Sequence, residues 1–87
     1  MIYKITVDIS KILPDLKKRK IGIYKDKFAF IYLEAIDPDE ACKKAIEEIC
    51  QNIYKQKRGN RAQMKKFVLS VKERISVKKI ERIKPNG

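Results

Sequence analysis

Histidine is absent from this 87-residue chain. That single absence removes zinc sites of the Cys/His type and imidazole acid–base catalysis together. Only two cysteines are present, Cys42 and Cys50, eight positions apart on one predicted helix. At about 1.5 Å of rise per residue they stand roughly 12 Å apart, which no disulfide spans. They read as reduced thiols on the apolar side of that helix, in a cytosolic setting. Long apolar runs are missing too. The opening MIYKITVDIS alternates apolar and polar residues, and no stretch approaches the roughly 20 apolar residues of a membrane span. The expectation is a soluble, cytoplasmic chain that does not engage a membrane.

The marks of an active site are equally scarce. There is no glycine-rich phosphate loop, no Ser or Cys nucleophile beside a base, and no acidic pair outside the predicted main helix, whose solvent face carries Glu47 and Glu48. The chain is therefore expected not to be an enzyme and to need no metal or cofactor. A histidine-free ribonuclease using a carboxylate as base is the chemical alternative.

Negative charge is in short supply. Lys and Arg number 22 against 11 Asp and Glu, a formal net charge of +11. Such an excess opposes compaction by self-repulsion and favours association with polyanions. The 44% hydrophobic content still predicts a compact fold, and the length predicts one domain, residues 1–87. The imbalance is local. Asp37 to Cys50 holds five acids and two bases, whereas Gln51 to Lys72 holds seven bases and no acid. Those seven are Lys55, Lys57, Arg58, Arg61, Lys65, Lys66 and Lys72, and Lys17, Lys18, Arg19 and Lys20 form a second run. A solvated surface usually mixes both signs, so a one-sign segment asks for a partner.

Alternation in IYKITVDI, residues 2–9, places Tyr3, Ile5, Val7 and Ile9 on one side of a half-buried strand. SKILPDLKKRK follows and reads as a basic loop turning at Pro14-Asp15. The next segment, to Ile36, reads as a hairpin: Ile21 and Ile23 on the first arm, a turn around Lys25 to Lys27, and a second arm from Phe28. In DPDE, Asp37 is a helix cap, Pro38 the first helical residue and Glu40 the third. Ala41, Ala45, Ile46, Ile49, Cys50 and Ile53 continue it as an apolar stripe, and Gly59 stops it, which predicts a helix over 38–58.

Residues 60–74 carry both periods. Asn60 and Gln63 suggest a second capping box, and Met64, Phe67, Val68, Val71 and Ile75 follow a helical stripe, yet Phe67, Leu69 and Val71 also alternate. A helix is favoured, because one strand over 67–83 would be about 55 Å long. ISVKKIERI, residues 75–83, closes the fold as a strand whose phase slips near Lys79, as at a bulge. The predicted class is α+β: an antiparallel-rich sheet of three or four strands with one or two helices on one face, in the order β-β-β-α-(α)-β.

Function is read from the cations. Arg58 and Arg61 flank Gly59-Asn60, a turn that would offer backbone N–H groups beside two guanidinium forks, suited to phosphate. Lys17, Lys18, Arg19 and Lys20 supply a second basic lobe. Phe28, Phe30 and Tyr32 align at period two, as base-stacking rows do, but Ala29, Ile31, Leu33 and Ala35 make the other side apolar as well. That pattern favours a central strand whose ring row is core or dimer contact. Tyr3, Tyr24 and Tyr54 give no further signal.

With its Lys/Ile-rich composition, its short length and the segments KKRK and KQKRGNRAQMKK, the chain resembles the small basic proteins of T-even-like phages. Among these it is most similar to the toxin inhibitory factors, a kind of protein that counters the RNA-cleaving toxin of a toxin–antitoxin defence. The resemblance implies an RNA-binding inhibitor of a toxin ribonuclease, working in the host cytoplasm within an RNA–protein assembly. It carries no residue roles. The expected partner is RNA or another nucleic acid, held at the phosphate backbone by Lys17, Lys18, Arg19, Lys20, Lys55, Lys57, Arg58, Arg61, Lys65, Lys66 and Lys72. The alternative is an inhibitor that binds an acidic host protein directly, and a homo-oligomer fits either reading.

Overall fold

A computed structural model describes residues 1–56 and 60–84. The alternating segment forms β1 (Ile2–Asp8), and its inward side chains Tyr3, Ile5 and Val7 are buried. The basic run is not a loop as expected: Leu13–Lys18 form a short helix, α1. Pro14 suits its first turn, Asp15 complements the positive end, and Ile12 and Leu16 are wholly buried. Its end has hydrogen-bonding geometry usually built around glycine. Lys20 N–H donates to Lys17 O at 3.1 Å and Ile21 N–H to Leu16 O at 2.9 Å, with Lys20 at φ 60.

β2 (Phe28–Glu34) and β3 (Ser76–Ile83) both pair antiparallel with β1, giving the order β2-β1-β3. The expected hairpin is corrected in two respects. Ile21 and Ile23 form no strand, and β2 is an edge strand, with β1 in the centre. Ile21 is buried among core residues while Ile23 is exposed, so of the two only Ile21 anchors the segment, and the pairing of β2 falls to β1. Asn52 fastens the same segment to the main helix, donating from Nδ2 to the Tyr24 hydroxyl at 3.1 Å.

α2 (Pro38–Tyr54) starts as predicted, with Asp37 Oδ1 accepting from Glu40 N–H at 2.8 Å. The Glu40 carboxylate pairs forward with Lys44 at 2.9 Å. The helix ends at Tyr54 with Lys55 as its cap, short of the predicted residue 58. α3 (Arg61–Arg74) settles the double reading of 60–74 as helix. Asn60 caps it through Ala62 N–H at 2.8 Å, one residue before the Gln63 amide that a capping box uses. Met64, Phe67 and Val71 are its buried side. The predicted slip in the last strand is real: Thr6 pairs with Lys79 and Val7 with Val77, leaving Lys78 as the extra residue of a bulge.

One core unites these elements. Ile5, Val7, Ile9, Ile12, Leu16, Ala45, Ile49, Ile53 and Val71 are fully buried in it. α2 packs across the inward face of the sheet and against α3. The fold is thus α+β, with a three-stranded antiparallel sheet and three helices among the described residues.

Candidate nucleic-acid interface

The short helix α1 decides the geometry of the cations. Its buried Leu16 sets one face inward, and the following turn delivers Arg19 to the side of α3. There the guanidinium carbon lies 4.0 Å from the centre of the Phe67 ring. So short a distance puts the guanidinium over the ring and not at its edge, a cation–π stack. At the other end of the contact, Arg74 Nη1 donates to Asp15 Oδ2 at 2.6 Å, and its Nε donates to Ser70 O at 3.4 Å. Between these two ties lies a cleft of 710 Å³, into which Lys18, Gln63, Lys66 and Ser70 also project. Four cations face one carboxylate in it, and that carboxylate is engaged by Arg74. The same hydrogen bond holds the Asp15 carboxyl below its ordinary range, with the nearby cations helping.

The predicted residues are therefore only partly gathered. Lys18, Arg19 and Lys66 line the cleft; Lys17 and Lys20 are exposed on and beside α1. Arg61, Lys65 and Lys72 follow spacings of four and seven along α3 and form an exposed stripe apart from Lys66. Lys55, at the end of α2, borders a shallow groove with Tyr54, Cys50 and Val68. Lys57 and Arg58, with Gly59 and the phosphate-binding turn read there, lie outside the described residues. Among the described residues the ion pairs are Lys44–Glu40, Arg74–Asp15 and Lys79–Glu81. None of the nine described cations expected to bind is in one.

Two participants escaped sequence reading. Arg74 was hidden at the end of an ambiguous segment, although Asp15, the one acid between Asp8 and Asp26, was the signal for a partner. Phe67 follows the apolar stripe and is buried in the core, and it also carries Arg19 over its ring.

On a second surface the core half of the expectation for the ring row falls. Phe28, Phe30 and Tyr32 are 40%, 54% and 61% exposed, so the ring row is not core. It lies on the sheet face opposite α2, because β2 is an edge strand and its inward residues Ala29 and Ile31 already face the core. Lys4 Nζ sits 4.9 Å from the Phe30 centroid and 6.0 Å from that of Tyr32. By register this face also carries Asp8, Glu34, Lys79 and Glu81, and Lys79 bonds Glu81 at 2.9 Å. Its charge is close to balanced, unlike the cleft.

Both cysteines are free; Cys50 is buried, Cys42 half-buried, and burial pushes each thiol up from its ordinary value. Glu47 and Glu48 are exposed on α2. Among the described residues no group of three or more Cys, Asp or Glu side chains is placed to hold a metal ion, and no helix is long and apolar enough to cross a membrane. Compared with models of protein families, with curated proteins and with solved structures, the chain finds no match in any of the three.

Proposed function

We propose that the chain binds nucleic acid, RNA before DNA, by gripping the phosphate backbone from the α1–α3 cleft and the basic residues beside it. One observation carries the reading: Lys18 and Arg19 meet Lys66 and Arg74 across a single cleft, although more than forty residues separate the two groups in sequence. Arg74 is taken up by Asp15, so among the described residues Lys18, Arg19 and Lys66 remain without an ion pair, and cations that converge on one concavity raise the local potential and draw polyanions toward it. The preference for RNA follows from the resemblance to phage toxin inhibitory factors, as does the biological role, a cytoplasmic counter-defence protein that restrains a toxin ribonuclease. In this reading the chain is a binder without catalytic activity of its own and uses no cofactor.

The test starts with protein purified without nuclease, whose absorbance at 260 nm relative to 280 nm reports bound nucleic acid. Joint replacement of Lys18, Arg61, Lys65 and Lys66 by Gln should lower that ratio and weaken RNA binding while the circular dichroism spectrum stays unchanged. Undiminished retention of RNA at moderate salt by the variant would reject the assignment.

A second reading has its own support in the exposed row of Phe28, Phe30 and Tyr32, whose near-balanced charge suits a protein surface better than a polyanion. Here the chain inhibits by direct contact with a host protein through that face, or pairs with a second copy of itself there. Nuclease treatment of a purified complex separates the two readings, because a direct protein contact survives it.

A further inference from the structure

We infer that the α1–α3 cleft accepts an unpaired nucleotide, its base stacked on the outer plane of the Arg19 guanidinium and its phosphates on Lys18 and Lys66. The inference rests on the nucleic-acid reading above and adds what kind of strand is selected. Its starting point is the posture of Arg19. An arginine used only as a phosphate clamp points its fork of N–H donors at the anion. Arg19 instead lies against Phe67 at 4.0 Å, and among the described residues its side chain donates no hydrogen bond. A planar cation seated over a ring on one side, and itself only half-buried, has its other side free for another planar group. Nucleobases stack on arginine planes in this way as well as on aromatic rings.

The rest of the cleft suits such a guest. Its volume of 710 Å³ falls within the range of small-ligand sites. Gln63 and Ser70 supply neutral donors and acceptors at its wall, where a base edge would lie, and the Asp15–Arg74 pair closes one end. Lys18 and Lys66 are the unpaired charges left for the backbone. The open sheet face has rings but lacks this combination, since Lys79 is held by Glu81 and Lys4 lies over Phe30. A base inside a duplex cannot reach the guanidinium plane, because its faces are occupied by neighbouring bases. The cleft therefore selects single strands, loops and ends over helical RNA.

Fluorescence anisotropy with four probes decides the matter: a short oligoadenylate, an abasic ribose-phosphate oligomer of equal length, a fully paired hairpin and inorganic polyphosphate. The wild-type chain should bind the oligoadenylate about tenfold tighter than the abasic oligomer, as one stacked base contributes. Arg19→Lys retains the charge and loses the plane, so it should shrink that ratio toward one, with folding checked by circular dichroism. Should Arg19→Lys unfold, the wild-type chain is compared on oligoadenylate and oligouridylate of equal length: the larger purine face should bind tighter, and equal binding would count against the stack. Equal binding of abasic and base-carrying strands by the wild-type chain overturns the stacking inference and leaves the phosphate reading standing. Failure of every probe, polyphosphate included, overturns the wider reading as well.

Discussion

Arg74 reaches back over 59 positions of chain to place its Nη1 2.6 Å from Asp15 Oδ2, with a further contact to Lys11 O at 3.5 Å. This pair fixes the last turn of α3 to α1 and so sets the width of the cationic cleft. It also removes the one carboxylate there from competition with an incoming anion.

Asp15→Asn should lower the urea midpoint at neutral pH and loosen α1. The folded state holds the Asp15 carboxyl below its ordinary range, so its contribution is fully present above the unfolded pKa and disappears as pH falls through the folded one. Wild-type and variant midpoints should accordingly converge on acidification. Asp8, whose carboxylate accepts from Ser10 N–H and Oγ–H, and Glu81, bonded by Lys79, shift in the same direction. The whole domain should therefore lose stability in acid, and a midpoint gap independent of pH would contradict the role given to Asp15.

RNA affinity should fall steeply with salt. On a single strand each phosphate contact adds about 0.7 to the slope of log affinity against log salt, so Lys18→Gln and Lys66→Gln should each reduce the slope by about that amount. Lys44→Gln is the control, because Lys44 is paired with Glu40 and also donates to Glu34 O on β2. Equal slopes for all three variants would remove the cleft from the binding surface.

Lys20 occupies a left-handed conformation, φ 60, where glycine is the usual residue. Lys20→Gly relieves strain of about 1 kcal/mol, part of which the greater freedom of glycine in the unfolded chain offsets. A raised thermal midpoint with weaker RNA binding is the expected outcome. It would indicate that a cation is kept at this turn at the expense of stability.

Ile49 is wholly buried on α2 and Leu69 is 63% exposed on α3. Ile49→Ala should cost about 2–5 kcal/mol, a large share of the stability of a small domain. Leu69→Ala should stay within about 0.5 kcal/mol. Chemical denaturation of the two variants side by side checks the orientation of both helices.

Phe30→Ser with Tyr32→Ser tests the open sheet face. If a second copy covers it, sedimentation at two concentrations should show association in the wild-type chain and its loss in the variant. A wild-type chain that stays monomeric at both concentrations would leave the face to a different protein partner.

Local chemistry determined much of this molecule. Asp37-Pro38 starts α2 because a side-chain acceptor and a fixed φ act within one turn, and the alternation in IYKITVDI forms β1 because successive side chains must oppose. The bulge at Lys78 was legible as a break in that period. Pairing was not legible. Whether Phe28–Glu34 lies in the middle of the sheet or at its edge depends on which strands β1 accepts, so the exposure of Phe30 and Tyr32 emerged only with the sheet order. The runs of lysine and arginine announced an excess of charge, but a helix of six residues, anchored by Leu16, brought Arg19 to Phe67 and Asp15 to Arg74. Contacts between groups this distant in sequence arise from shared burial of the elements that carry them, and a residue string records no distance.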